Sequence, residues 1–299
     1  MAHGPGPLRT PGPLAIAAAA ACCVGALACG GEHGRNEQAG LLAEDGPRIQ
    51  EIVRQDVDRV QAGVREAAGR LAPRFGIEDA DRREAELRTA LRATRQPPLG
   101  VDGLMATPIS FVAAVGPTGE VLARDTDAER DRMTGMDMAE VAPIVQRALD
   151  TGRFGYALTE LPALEEGVPP SVTVLFVAAV THGGQRAGAV VAGMPLWMVS
   201  RQLTNQIQLE HREERHAGAL YWTAILGGSA GARQVAGNFP SDLLELVPQG
   251  EDLRARLQES PGGFTGQDQQ YGRWYGYLVL PLPTLGEGVV AVAFRSDPV

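Results

Sequence analysis

Hydrophobic positions change their period along this chain, and the changes mark its elements. From about 41 to 71, Ile49, Val53, Val57, Val60, Val64, Ala67 and Leu71 recur at three- and four-residue steps. That spacing predicts one long amphipathic helix, with Pro73 as its expected stop. Asp81 followed by Glu84 resembles a capping box opening a second helix through Leu87 and Leu91. Gln96-Pro97-Pro98 breaks it. At Phe111 the pattern shortens to strands. Phe111 to Asp125 (FVAAVGPTGEVLARD) predicts strand, Gly-containing turn and strand. Met138 to Asp150 is predicted helical, with Val141, Ile144, Val145, Ala148 and Leu149 inward and Gly152 as its stop. Phe154 to Leu161 predicts a third strand. Val172 to Pro195 predicts a hairpin around Gly183-Gly184. Its first arm, Val172 to Val180, is almost continuously apolar, so both of its faces are expected to be covered.

The same order then recurs. Trp197 to His216 is a linking helix with a charged tail. Strands are predicted at Ala219 to Leu226 and Arg233 to Ala236, around a Gly227 to Gly231 turn. A helix at Ser241 to Leu257 is interrupted by Pro248-Gln249-Gly250. Strands follow at Gly263 to Gln269, Trp274 to Leu282 and Val289 to Phe294. Two units, about 108–196 and 218–296, therefore share the order ββαβββ, each long enough for a five-stranded antiparallel sheet with a helix on one face. The predicted class is α+β.

Composition adds compartment and partner class. At 299 residues, with 44% hydrophobic and 21% charged content, the chain can bury one large or two ordinary cores. All 27 basic residues are Arg, and the pI near 5.1 argues against nucleic acid and against anionic membranes held by charge. Arg9 followed by the apolar Pro13 to Ala28 reads as a secretory signal, too short for a spanning helix. Ala26-Leu27-Ala28 is a small-x-small cleavage site, followed at once by Cys29. This resembles the lipobox of bacterial lipoproteins, with Leu displaced by one position. Cys22 and Cys23 leave with the signal, so Cys29 has no disulfide partner in the mature chain, and lipidation at Cys29 is expected. Ordinary cleavage at the same bond is the alternative. The domain plan is signal 1–28, flexible tether 29–40, helical segment 41–95, first module 96–196, linking helix 197–217 and second module 218–299.

A long amphipathic helix behind a membrane signal, then two ββαβββ modules, is similar to the extracytoplasmic double Cache sensor domains, over roughly residues 40–296. The FVAAVGPTGEVLARD and LFVAAVTHGGQRAGAVVAGMPL hairpins carry the resemblance. It implies PAS-like modules, and a small polar ligand (an amino acid, amine or carboxylate) held in the first one. The site would lie between the sheet and the segment joining its second strand to its helix. Arg124 would pair with a carboxylate, Asp125 and Asp127 with an ammonium, and Tyr156 is a further candidate ligand-binding residue. Such receptors usually continue through a second membrane helix into a signalling module. This chain ends at Val299, so the resemblance implies a separate membrane signalling partner.

Catalytic and metal motifs are weak. Gly227-Gly228-Ser229-Ala230-Gly231 fits G-x-S-x-G, but no His follows His216 to complete a hydrolase set, and a hairpin turn is expected. His211 and His216 are five apart, about 140° around a helix, where zinc helices use four, so a solvated charged helix is expected. His182 beside Gly183-Gly184 is expected as a surface turn residue. Asp125, Asp127, Glu129, Asp131 and Asp137 suggest a calcium loop but lack its Gly and closing Glu, and nearby arginines compete for the same carboxylates. Tyr275 and Tyr277 share one strand face, with core packing expected. No cofactor or metal is expected. The function expected is non-enzymatic small-molecule sensing by an envelope lipoprotein. A structural or protein-interaction lipoprotein with no ligand pocket is the alternative.

Overall fold

The computed structural model describes residues 14–227, 232–234 and 239–298, with side chains for 38–227 and 239–298. The first element, α1 (Leu14–Phe75), is a single 62-residue helix. Its backbone passes through 29–40, where the sequence predicted a flexible tether. It also carries Pro73 inside its last turn instead of ending there. The apolar series expected along its inner face is buried throughout, from Ile49 to Leu71, and Leu42 and Phe75 extend it at either end.

Helix α2 (Ala80–Thr94) begins two residues earlier than the capping-box reading: Asp79, not Asp81, is the cap, accepting the Arg82 N–H at 2.8 Å. A short α3 (Asp102–Met105) was not foreseen. The first module then contains β1 (Phe111–Val115), β2 (Val121–Arg124), α4 (Met138–Val141), α5 (Pro143–Thr151), β3 (Gly155–Leu161), β4 (Ser171–His182) and β5 (Gln185–Pro195). The single helix predicted over 138–150 is split. Ala142 is extended ahead of Pro143, whose ring disfavours the helical conformation in the residue before it.

Helices α6 (Leu196–Glu210) and α7 (Arg212–His216) lead to the second module. It comprises β6 (Tyr221–Gly227), β7 (Ala232–Gln234), a 3-10 turn at Ser241–Leu246, α8 (Gly250–Glu259), β8 (Phe264–Gln270), β9 (Arg273–Pro281) and β10 (Val290–Ser296). Residues 228–231 and 235–236 of the predicted turn and strand lie outside the described residues.

Both sheets are five-stranded and antiparallel, in the orders β2-β1-β5-β4-β3 and β7-β6-β10-β9-β8. Substituting each strand by the one five places later converts the first order into the second. The pattern repeat is thus a repeat of topology. In the first sheet the Gly183-Gly184 turn has φ of 58° and 80°, the left-handed pair that a two-residue hairpin requires. The apolar run of β4 is covered on both faces, as its composition demanded. Val174 and Phe176 join a cluster with α1, while Leu175 and Val177 face α5 and the loops after β2. The α1 cluster continues into the second module through Tyr221, Ile225, Leu278, Leu280 and Ala291. One apolar layer therefore lies under both sheets.

Candidate functional site

On the face of the first sheet turned away from α1, β2 ends in Arg124. Its guanidinium lies 5.3 Å from the Phe111 ring centre and is almost wholly buried. One terminal nitrogen donates to the Leu164 carbonyl at 2.9 Å and the other to Glu165 Oε1 at 2.6 Å. The remaining donor, Nε, is buried without a hydrogen bond and lies 3.8 Å from Asp125 Oδ1. An orphaned guanidinium donor in a low-dielectric site is costly, so it marks unused binding capacity.

Around Arg124 runs a lattice of ion pairs. Asp125 is buried and accepts from Arg95 at 2.8 Å. Exposed Asp127 accepts from Arg92 at 2.6 Å. Asp131 is held by Arg88 at 3.1 Å, by the Thr134 hydroxyl at 2.6 Å and by the Met133 N–H at 2.9 Å. Burial pushes the Asp131 carboxyl up, but these hydrogen bonds outweigh it and hold the group below the usual carboxylate range. Arg130 approaches the second oxygen of Glu165 at 3.4 Å. Two connecting segments, 125–137 and 162–170, are thereby fastened to α2 and to each other.

Of the residues expected to bind ligand, Arg124 and Asp125 are neighbours, whereas Asp127 is exposed and bonded to Arg92. Tyr156 is elsewhere. It lies on β3, the opposite edge strand, and on the α1-facing side, stacked on Phe176 with ring centres 5.4 Å apart. Strand parity puts it on the wrong face for this cluster. Glu165, Arg88 and Arg95 complete the cluster and were missed, because nothing local in Leu-Glu-Glu-Gly or in an amphipathic helix marks them. The remaining floor is apolar, with Met133, Met138, Phe111 and Leu164 packed against Leu175 and Val177.

Asp137 caps α4, accepting the Ala139 and Glu140 N–H groups at 2.9 and 3.1 Å. Among the described residues no group of three His, Cys, Asp or Glu could hold a metal ion. Gly228 to Gly231 lie outside the described residues. His182, though exposed, lies against Gly76, where an added Cβ would meet its ring at 2.3 Å.

His211 departs from the solvated helix expected of it. Its ring is stacked on Tyr221 at 4.7 Å and set between Asp45 of α1, at 3.0 Å, and Glu214, at 3.3 Å. Glu214 also accepts from the Tyr221 hydroxyl and from Arg295. Burial raises the Asp45 carboxyl above its usual value. Burial raises Tyr221 likewise, reinforced by Glu214. This cluster ties α1 to the base of the second module.

No protein-family model matches the chain, and no curated protein matches it in sequence. Solved structures do match in shape. The ligand-binding domain of a Campylobacter jejuni chemoreceptor in complex with L-valine superimposes with a TM-score of 0.52 at 10% identity, over 89% of this chain and 96% of that one. The ligand-binding domain of a Pseudomonas aeruginosa amino acid chemoreceptor in complex with L-Arg gives 0.50 at 17% identity, over 88% and 96%. An extracellular ligand-binding receptor from Desulfohalobium retbaense gives 0.48 at 15% identity, and this chain spans only 40% of its length. The first two superpositions establish architecture: the chain has the α+β fold of the Cache-type extracellular sensory domains.

Proposed function

We propose that this chain is a non-enzymatic extracytoplasmic sensor that binds a small carboxylate-bearing molecule, such as an amino acid, in its first module. The observation that carries the reading is the buried guanidinium of Arg124, paired with the Glu165 carboxylate of a connecting loop, while its Nε has no hydrogen bond. A ligand carboxylate fits the position that Glu165 occupies, and Asp125 offers an oxygen to a ligand ammonium. Superposition of 88–89% of the chain on sensory domains in complex with L-valine and L-Arg supports the ligand class. Cys29 would anchor the chain by lipid, and a separate membrane partner would receive the signal. Among the described residues no helix is long and apolar enough to cross a membrane.

A thermal-shift screen of the purified chain against amino acids, amines and carboxylates tests this. A ligand at a hundred times its Kd stabilises by about 2.7 kcal/mol, a readily measured rise in Tm. Glu165→Gln is expected to strengthen carboxylate binding and Arg124→Gln to abolish it. If no compound raises Tm, the sensor reading falls to the structural one, which the apolar filling around Met133 and Met138 favours. For the anchor, palmitate labelling is expected in the native chain and not in Cys29→Ala; labelling that persists in the variant rules the anchor out.

A further inference from the structure

The second module has a cleft that the first-module reading does not use. It holds about 600 Å³ between α8, the 3-10 turn before it and the floor of the sheet. That volume lies within the range of small-molecule sites. Three carboxylates line it, Glu245, Asp252 and Glu259, against one guanidinium, Arg256, which lies 5.5 Å from the Phe264 ring centre. Asp252, Arg256 and Glu259 are four and three residues apart, so they share one face of α8. The two acids there stand about 10 Å apart along the axis. Among the described residues none of the three carboxylates has a hydrogen-bond or ion-pair partner. Nor do they converge on a metal-binding geometry.

The floor supplies an independent observation. Tyr277 of β9 is 6% exposed and lines the cleft. Its ring lies across Gly266 of β8, where an added Cβ would meet its hydroxyl at 2.3 Å. Glycine at 266 is what lets that ring lie flat against the neighbouring strand. Among the described residues the hydroxyl has no hydrogen-bond partner, and it stays open to solvent while the ring is buried. Between the charges the wall is apolar, with Leu246 and Val247. Separated negative charges, an apolar wall between them and a free hydroxyl at the floor complement a chain of methylenes punctuated by ammonium groups.

We propose that this cleft is a second binding site, for an extended aliphatic polyamine whose ammonium groups pair with Glu245, Asp252 and Glu259 and donate to the Tyr277 hydroxyl. Binding is reversible and involves no covalent step. It is independent of the first-module ligand.

Calorimetric titration of the full chain with spermidine, at constant ionic strength, tests the proposal. One saturable site is expected in the native protein. Exposed ion pairs contribute about 0.2–1 kcal/mol each, so the triple variant Glu245→Gln, Asp252→Asn, Glu259→Gln is expected to weaken binding about threefold or more. Those side chains are exposed, so the variant keeps the native fold and melting temperature. Tyr277→Phe, which removes only the hydroxyl, is expected to weaken binding about threefold. Arg124→Gln is expected to leave it unchanged. The proposal is overturned by any of three results: no saturable binding, undiminished binding in the triple variant, or loss of binding in Arg124→Gln. Displacement of spermidine by magnesium at equal charge concentration would also overturn it, since that is the behaviour of a diffuse ion atmosphere.

Discussion

Asp56 lies on the buried stripe of α1, where the periodicity calls for an apolar residue. It is 3% exposed, accepts a hydrogen bond from Gln202 at 2.8 Å, and has Arg59 no closer than 3.9 Å. Burial without a close cation pushes its carboxyl up to about 6. The folded state thus holds a proton more tightly than the unfolded chain, whose aspartates titrate near pH 3.9. Stability is therefore highest below about pH 4 as far as this group is concerned, and declines as pH rises through 6, by roughly 3 kcal/mol in all. Asp56→Asn keeps the Gln202 contact and removes the charge. It is expected to flatten urea stability between about pH 4 and pH 7 and to raise it at pH 7 by about 1–3 kcal/mol. A pH profile parallel to the native one would refute this. At this scale the candidate site was half legible. Arg124 and Asp125 stand out as charges at the end of an apolar strand. Their partners Arg95, Arg88 and Glu165 stand 30, 36 and 41 residues away in sequence, the first two brought in by α2 and its C-terminal cap and the third by the loop after β3. Tyr156 lies apart from them for the converse reason, since one residue of strand parity decides a face.

Elements were legible where periodicity is long and opaque where backbone chemistry intervenes. The β4–β5 hairpin was predicted from its glycines and its continuous apolar arm. The α4–α5 break needed the weight of Pro143 against a good helical pattern. Within β5, Gly193 is paired with Phe111, and an added Cβ would lie 2.2 Å from the ring. Gly193→Ala therefore overpacks the centre of the first sheet and is expected to cost about 1–3 kcal/mol, read from the urea midpoint. An unchanged midpoint would mean that the Phe111 ring has room to move aside. The linking helix α6 meets β6 through hydroxyls as well as side-chain packing. Ser200 donates to the Thr223 carbonyl at 2.8 Å, and Thr204 and Thr223 bond to each other at 2.8 Å. These buried polar groups are satisfied by one another, and they set the register of helix on strand.

The whole molecule follows from a repeat that no residue-by-residue comparison of its halves reveals. Strand order, antiparallel pairing and core faces recur while side chains differ, because a sheet topology is specified by apolar alternation and turn chemistry. The two modules do not have separate foundations. Residues 43–50 of α1 border β8 and β9, while 65–72 border β4. Unfolding is expected to be a single transition. Trp222 and Trp274 lie in the second module and Trp197 in the linking helix, so fluorescence is weighted towards the second module. Far-UV circular dichroism reports both, and the two melts are expected to coincide. Two resolved transitions would show that the modules fold apart.

Helix α1 thus behaves as a single shaft running in two bearings. An axial slip of the helix by one turn, about 5.4 Å, against the two modules would unseat the packing of both sheets at once. Leu158 of β3 abuts Gly286, where an added Cβ would lie 3.2 Å from it, and this gives the linkage a second point of bearing away from the shaft.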